Sequence, residues 1–307
     1  MVIAVGFGRC GCRLLSDPLL VDYSKIFIDL DSSLEPNAYR SSVLVKDAVV
    51  SDWFDVAVSS DISPSLIKSA ISAVRRFSEN ADRTDDISLF LSPSGASGGG
   101  LASLFVEALS DHSYHLKSAS VVFPHTRMYR RGQPVNTIMT LGHLSDHVST
   151  TLCFDNTVLL ESDFANVNSV VMGCSVSLGS TNIPEKFCLG NLFVRKITSD
   201  NVLIQLETFI GRRPKCVGRP TVVLAGHPQI PGSLVRSVDS VFGNNPGAAI
   251  TELKHPIIGL GSLAIAYRDT ATFPKLVESL IGSACSVSSN HREWFSETVE
   301  KLRLEFL

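Results

Sequence analysis

Two glycine-rich stretches hold the residues most able to do chemistry. In the first, VIAVGFGRCGCRLL, Gly6, Gly8 and Gly11 form a G-x-G-x-x-G between a short apolar run and an apolar-periodic stretch. Such a turn lets backbone N–H groups close on a phosphate, and a following helix adds the partial positive charge of its N-terminus. Asp29, in IFIDLD, lies about 20 residues further on, where a dinucleotide fingerprint places its ribose-binding acid. The second stretch, SPSGASGGGLAS from Ser92 to Ser103, joins a buried-type strand to a helix and suits a phosphate for the same reason. No Gly-Lys-Ser/Thr closes it, so it is not a P-loop, and it is not a dinucleotide fingerprint either. The plain alternative for it is a flexible connection.

These stretches need a scaffold that brings strand ends and helix starts together. Strand-like runs (VIAVGF, KIFIDL, DISLFL, SASVVF, TTLCFD) alternate with helix-like segments through about residue 160, which predicts a parallel sheet wrapped by helices. Leu66, Ile67, Ala70, Ile71, Val74 and Phe77 fall at helical spacing after Ser63-Pro64, and LASLFVEALSD predicts a second helix beginning directly after the glycine cluster. A central helix is expected over NVNSVVMGCSVSL. From about Asn201 the texture is β-rich, with NVLIQLETF, TVVLAG, AAITELK and LAIAYRD separated by Pro/Gly turns. The segment Arg292 to Leu307 reads as an amphipathic helix with Trp294, Phe295, Val299, Leu302 and Phe306 available to one face, packed by default on its own subunit.

Composition narrows the function. With 307 residues, 44% apolar, the chain can bury a sizeable core, and a net charge of -3 gives no general drive toward nucleic acid or anionic lipid. No apolar stretch reaches membrane-span length and no basic leader precedes the first strand, so a cytoplasmic protein without membrane or nucleic-acid partners is expected. Seven scattered cysteines, with only a C-x-C at 10–12, predict reduced thiols and no structural zinc.

In order along the chain, the motifs resemble the tubulin/FtsZ superfamily of filament-forming GTPases. SGASGGGLASLFVEALS is similar to its glycine-rich signature loop and following helix, with Ser94 and Ala96 replacing usual glycines and Ser97 a usual threonine. GRCGCR resembles the first phosphate loop, with Arg9 where a glutamine is usual, and FIDLD resembles the second. VVFP, then QPVN at 133–136, FDN at 154–156 and FANVNSVV at 164–171 follow at tubulin-like spacing. The chain is nearer in size to compact bacteriophage tubulins than to tubulin or FtsZ, which would place it in a host cytoplasm.

The resemblance implies a Rossmann-like parallel-sheet GTPase domain over 1–164, a central helix and catalytic-loop region over 165–200, a second α+β domain over 201–275 and a C-terminal helical segment over 276–307. It implies GTP or GDP held by Gly8, Arg9, Cys10, Gly11, Gly95, Ala96, Ser97 and Gly98. Gln133 would face the ribose, Asn156 and Asn168 the guanine edge, and Phe164 the guanine face, while Asp29 and Asp31 would lie near Mg2+ and the phosphates. Taken singly, Asn156 is more often a turn residue and Phe164 more often core. In this superfamily an acid from the next subunit orients the attacking water; GNLFVRKIT, read as that loop and helix start, offers Phe193 and Lys196 instead. Neither can act as a carboxylate does. Lys196 is either a cation beside a neighbour's phosphate or a solvated helix residue.

Between Asp31 and Ser63 there is no glycine, where a γ-phosphate-sensing loop is expected, and Asp47, Asp52 and Asp55 read as solvated. The expected function is a GTP-binding cytoskeletal subunit that stacks head to tail, with weak or lost hydrolysis. A degenerate tubulin that pairs with or caps an active one is the first alternative, and an NAD(P)-dependent oxidoreductase the second.

Overall fold

The computed structural model describes residues 2–30, 41–46, 48, 50, 52–59, 63–79, 86–110, 112, 114–124, 130, 132–156, 167–180, 190–197, 216–225, 249–253, 261–269, 272–284 and 287–306. Strands β1 (Val2–Phe7), β2 (Ser24–Asp29), β3 (Ser41–Val45), β4 (Asp86–Leu91), β5 (His115–Phe123) and β6 (Thr150–Asp155) pair in parallel in the order β3-β2-β1-β4-β5-β6. This is the α/β Rossmann-like architecture expected from the alternation of strand-like and helix-like runs.

Side chains alternate across this sheet with the period of two that a pleated strand imposes. Ile3, Val5, Phe7, Ile26, Ile28, Leu89, Leu91, Val121 and Phe123 face one core; Ala4, Phe27, Phe90, Val122, Leu152 and Phe154 face the other. Both faces are therefore apolar, as a parallel sheet covered on both sides requires. Helices α3 (Ser63–Ser78), α4 (Ala96–Ser110) and α5 (Gln133–His147) supply the first core with Leu66, Val74, Leu101, Phe105, Ile138 and Leu141. Helices α1 (Gly8–Leu15) and α6 (Val167–Ser180) supply the second with Cys12, Leu14, Leu15, Val171 and Met172. Between β3 and α3 lies a short helix, α2 (Trp53–Ala57), started by a reciprocal capping box in which Asp52 and Asp55 each accept the other's backbone N–H. Asp52 and Asp55 thus have a local structural task, where solvation alone was expected; Asp47 lies outside the described residues.

Two elements differ from the expectation. Helix α4 begins at Ala96, so Gly98, Gly99 and Gly100 lie within its first two turns and are not the loop before it. The segment Gly190–Ile197 is a strand, β7, and not a loop with a helix start. It continues the sheet beyond β6 and pairs antiparallel with β10 (Gly261–Asp269), which pairs with β8 (Cys216–Ala225), which pairs in parallel with β9 (Ala249–Leu253). Expected strands at TVVLAG, AAITELK and LAIAYRD match β8, β9 and β10; NVLIQLETF lies outside the described residues. Among the described residues of 165–200, the central helix α6 is followed by strand β7, which pairs with both β6 and β10.

The last two helices, α7 (Thr272–Ser283) and α8 (Arg292–Phe306), fold back onto the first half, where Val277, Leu280, Val299 and Leu302 join its core. Helix α8 lies on α5: Lys301 donates to the Gly142 carbonyl and pairs with Asp146, and Thr298 sits over Gly142. Around its N-terminal end Trp294 meets Trp53 edge-on at 5.0 Å, and His291 stacks on Phe54 at 4.4 Å. The same cluster holds His143, 5.1 Å from Trp53, and its burial lowers the imidazole's affinity for a proton.

A Cβ at Gly142 would run into Thr298 Cγ2. Gly142→Ala should therefore lose about 1–3 kcal/mol to overpacking, against roughly 1 kcal/mol of helix-propensity gain. Thr298→Ala in the same chain should restore it, giving a favourable coupling of at least about 0.5 kcal/mol in a urea double-mutant cycle. Strictly additive effects would contradict this docking of α8.

Candidate functional site

The carboxyl ends of β1, β2, β4 and β6 lie along one edge of the sheet, the edge where open α/β sheets bind ligands. Each expected site residue that the structure describes, apart from those on β7, sits at or near it. Gly8, Arg9, Cys10 and Gly11 open α1, directly after β1. Asp29 ends β2. Gly95 precedes α4, and Ala96, Ser97 and Gly98 start it. Gln133 is the first residue of α5, Asn156 follows β6 half-buried, and Asn168 is exposed in the first turn of α6. Asp31 and Phe164 lie outside the described residues.

Close backbone approach brings the two glycine stretches together. Gly8 has φ +63, and a Cβ there would lie 2.9 Å from Gly98 Cα and 3.3 Å from Ser97 Oγ. Any side chain at Gly8 would be both strained and obstructed. One turn on, a Cβ at Gly11 would collide with the Phe90 carbonyl, so α1 lies directly on β4. Gly6 is more than a strand-end residue, since a Cβ there would strike Leu15 and Gly11.

The start of α1 has no side-chain cap and no acid in its first turn, and α4 likewise has no acid in its first turn. Two helix N-termini that touch, with no carboxylate in either first turn, present N–H groups and positive dipole ends to the same space. An anion is the natural occupant.

The thiols on α1 are held neutral. Burial, opposed by Arg13, raises Cys10 to about 11, and burial with the charge of Asp29 raises Cys12 to about 12. Cys12 Sγ donates to the Gly6 and Ile28 carbonyls at 3.6 and 3.7 Å, and burial also raises Cys153. No thiolate therefore competes with an anion here. Asp29 is buried, and its Oδ1 accepts the Leu30 N–H at 2.7 Å. Among the described residues no three His, Cys, Asp or Glu side chains gather as a metal cluster.

Several expected roles meet a different geometry. Gln133 Oε1 accepts the Arg130 N–H at 2.7 Å, so its amide oxygen turns toward the loop before α5. Phe193 and Lys196 lie on β7, paired with Ile265 and Ser262 of β10. They are strand residues, and reading them as replacements in a catalytic loop is corrected by that pairing. The residue missed at sequence level is Asn136 of the quoted QPVN: it is 3% exposed and bonds both Trp53 N and the Ser94 carbonyl. A helix-disfavoured Asn among apolar helix positions was the available signal.

The family model for the tubulin/FtsZ GTPase domain matches residues 1–163, the part that carries both glycine stretches and the parallel sheet. The chain belongs to the tubulin/FtsZ family. A relative, the tubulin gamma chain of Eremothecium gossypii, is 45% identical over 74 residues, a stretch covering 24% of this chain and 16% of that protein. The match thus spans about one sixth of the curated relative's length. The matched model is that of a GTPase domain, which implies GTP or GDP as ligand. Among the described residues of this tubulin-family chain no helix is long and apolar enough to cross a membrane.

The unfolded chain releases thiol protons near the ordinary value of 9.0, whereas the folded chain holds Cys10 to about 11 and Cys12 to about 12. Stability contributed by the neutral thiols is complete below pH 9.0 and declines as pH rises through those folded values. Urea midpoints from pH 8 to pH 12 should fall, with a shallower alkaline limb for Cys12→Ala. Equal limbs would mean that Cys12 ionises freely in the fold.

Proposed function

We propose that this chain is a GTP-binding cytoskeletal subunit that stacks head to tail, with nucleotide at the contact between subunits. The observation that carries the reading is the abutment of the two glycine turns, Gly8 against Gly98, at the carboxyl edge of the sheet. Phosphates would take the N–H groups of the turns at Gly8–Gly11 and Gly95–Gly98, and Arg9 would add a cation. Asn156, Asn168 and Phe164 would hold the guanine, and Gln133 would face the ribose once its side chain turns from Arg130.

Asp29 suits a magnesium ion bound mainly through nucleotide phosphates and water, because Mg2+ commonly uses only one or two carboxylates. Asp31 is the second candidate. The metal would neutralise phosphate charge; the chain's own part is to hold the carboxylate beside the turns.

Weak hydrolysis by the isolated chain remains part of the proposal but on narrower ground. With Phe193 and Lys196 on a strand, its support is the glycine-free segment between Asp31 and Ser63. A heterologous contact between copies generates an open filament, which gives the reading a direct test. Electron microscopy and pelleting with GTP, GDP and a slowly hydrolysed analogue should show filaments that require guanine nucleotide, with little phosphate released. Polymer that ignores nucleotide would overturn the placement of nucleotide at the contact, and pelleting that needs a second tubulin-like protein would overturn self-assembly.

A further inference from the structure

Helix α5 grips the second glycine turn from behind. Asn136 Nδ2 donates to the Ser94 carbonyl at 3.0 Å, and one helical turn later Thr140 Oγ1, whose proton is shared with the Asn136 carbonyl at 2.7 Å, reaches the Pro93 carbonyl at 3.3 Å. Positions four apart share a helix face, so the two side chains address consecutive carbonyls of SPSG from one side. Thr140 is fully buried, and a Cβ at Gly99 would collide with its hydroxyl. The glycine at that point of α4 is thus part of the same contact.

The amide orientation of Asn136 is fixed by its partners. Trp53 N–H can only donate, and it meets Oδ1 at 2.8 Å; the Ser94 carbonyl can only accept, and it meets Nδ2. One buried side chain therefore ties the turn to the first residue of α2, whose indole N–H is itself held by Ser103 Oγ at 3.1 Å. Burying an amide costs stability unless both ends are satisfied, and here both are.

Drawing the carbonyls of Pro93 and Ser94 toward α5 sets which way the next peptide units face. Those units lead into the N–H groups of Gly95 to Gly98. We propose that Asn136 and Thr140 are positioning residues for the phosphate-binding turn: they touch no ligand, and they set the direction of the N–H groups that do. This rests on the reading of the two turns as a nucleotide phosphate site.

The test uses the full chain and calorimetric binding of GDP and of guanosine, which lacks phosphates. Asn136→Asp keeps an acceptor for Trp53 N and sets a carboxylate oxygen against the Ser94 carbonyl. Thr140→Val removes the hydroxyl without adding charge. Each should weaken GDP by about 10-fold or more, leave guanosine unchanged, and keep a cooperative thermal transition. Ser103→Ala, which loosens Trp53 and removes a bond to the Gly99 carbonyl but leaves the Pro93 and Ser94 carbonyls held, should leave GDP affinity unchanged.

Equal losses for guanosine and GDP would mean a general structural role and would overturn the inference. So would a loss confined to Asn136→Asp that vanishes in high salt, which marks a through-space charge effect. Wild-type affinity in both variants would overturn the inference while leaving the nucleotide reading intact. Failure of the wild-type chain to bind GDP at all would overturn the nucleotide reading, and the inference with it.

Discussion

Everything at the binding edge depends on backbone approaching backbone without a side chain between. Gly8 lies on Gly98, Gly11 on the Phe90 carbonyl, and Gly99 on Pro93 and Thr140. Helix propensity argues against this arrangement, since each glycine in a helix costs roughly 1 kcal/mol relative to alanine. Tertiary contact wins because a Cβ at these points would separate α1 from β4, or α4 from α1 and α5. The glycines thus determine how close two helix N-termini come, and that separation decides whether both can address one anion.

The parallel sheet was legible because its period-two pattern and its βα alternation are local properties. Ile3, Val5 and Phe7 against Ala4 already describe two cores. The start of α4 was not legible: three consecutive glycines look like loop, and their place in a helix follows from neighbours distant in sequence, Thr140 and Val56 among them. Strand β7 was open to a better reading, since GNLFVRKI has the Leu, Phe, Val and Ile content of a strand. Resemblance drew it into a loop, and the pairing with β10 supplies the register that resemblance could not. Asn136 stood in view within QPVN, yet its burial and its two partners arise only when α2, α4 and α5 meet.

The C-terminal helix links this edge to the far end of the chain. Trp294 meets Trp53, whose N–H is held by the amide that also holds Ser94. The chain has two tryptophans, and both lie in this cluster, so intrinsic fluorescence reads the seating of α8 against α2. Packing of α8 on α5 also puts its apolar residues Val299 and Leu302 to use within the subunit, leaving Leu304 exposed.

The strand order β3-β2-β1-β4-β5-β6 serves dinucleotide enzymes as well as this family, so topology does not choose the ligand. The choice rests on the second glycine turn lying against the first. Thermal unfolding of the wild-type chain with GDP, GTP or NAD decides it, because a ligand bound only by the folded state adds about 2.7 kcal/mol at a hundredfold excess over its Kd. The account predicts a raised midpoint with GDP and GTP and none with NAD. A midpoint raised by NAD and untouched by guanine nucleotides would contradict it.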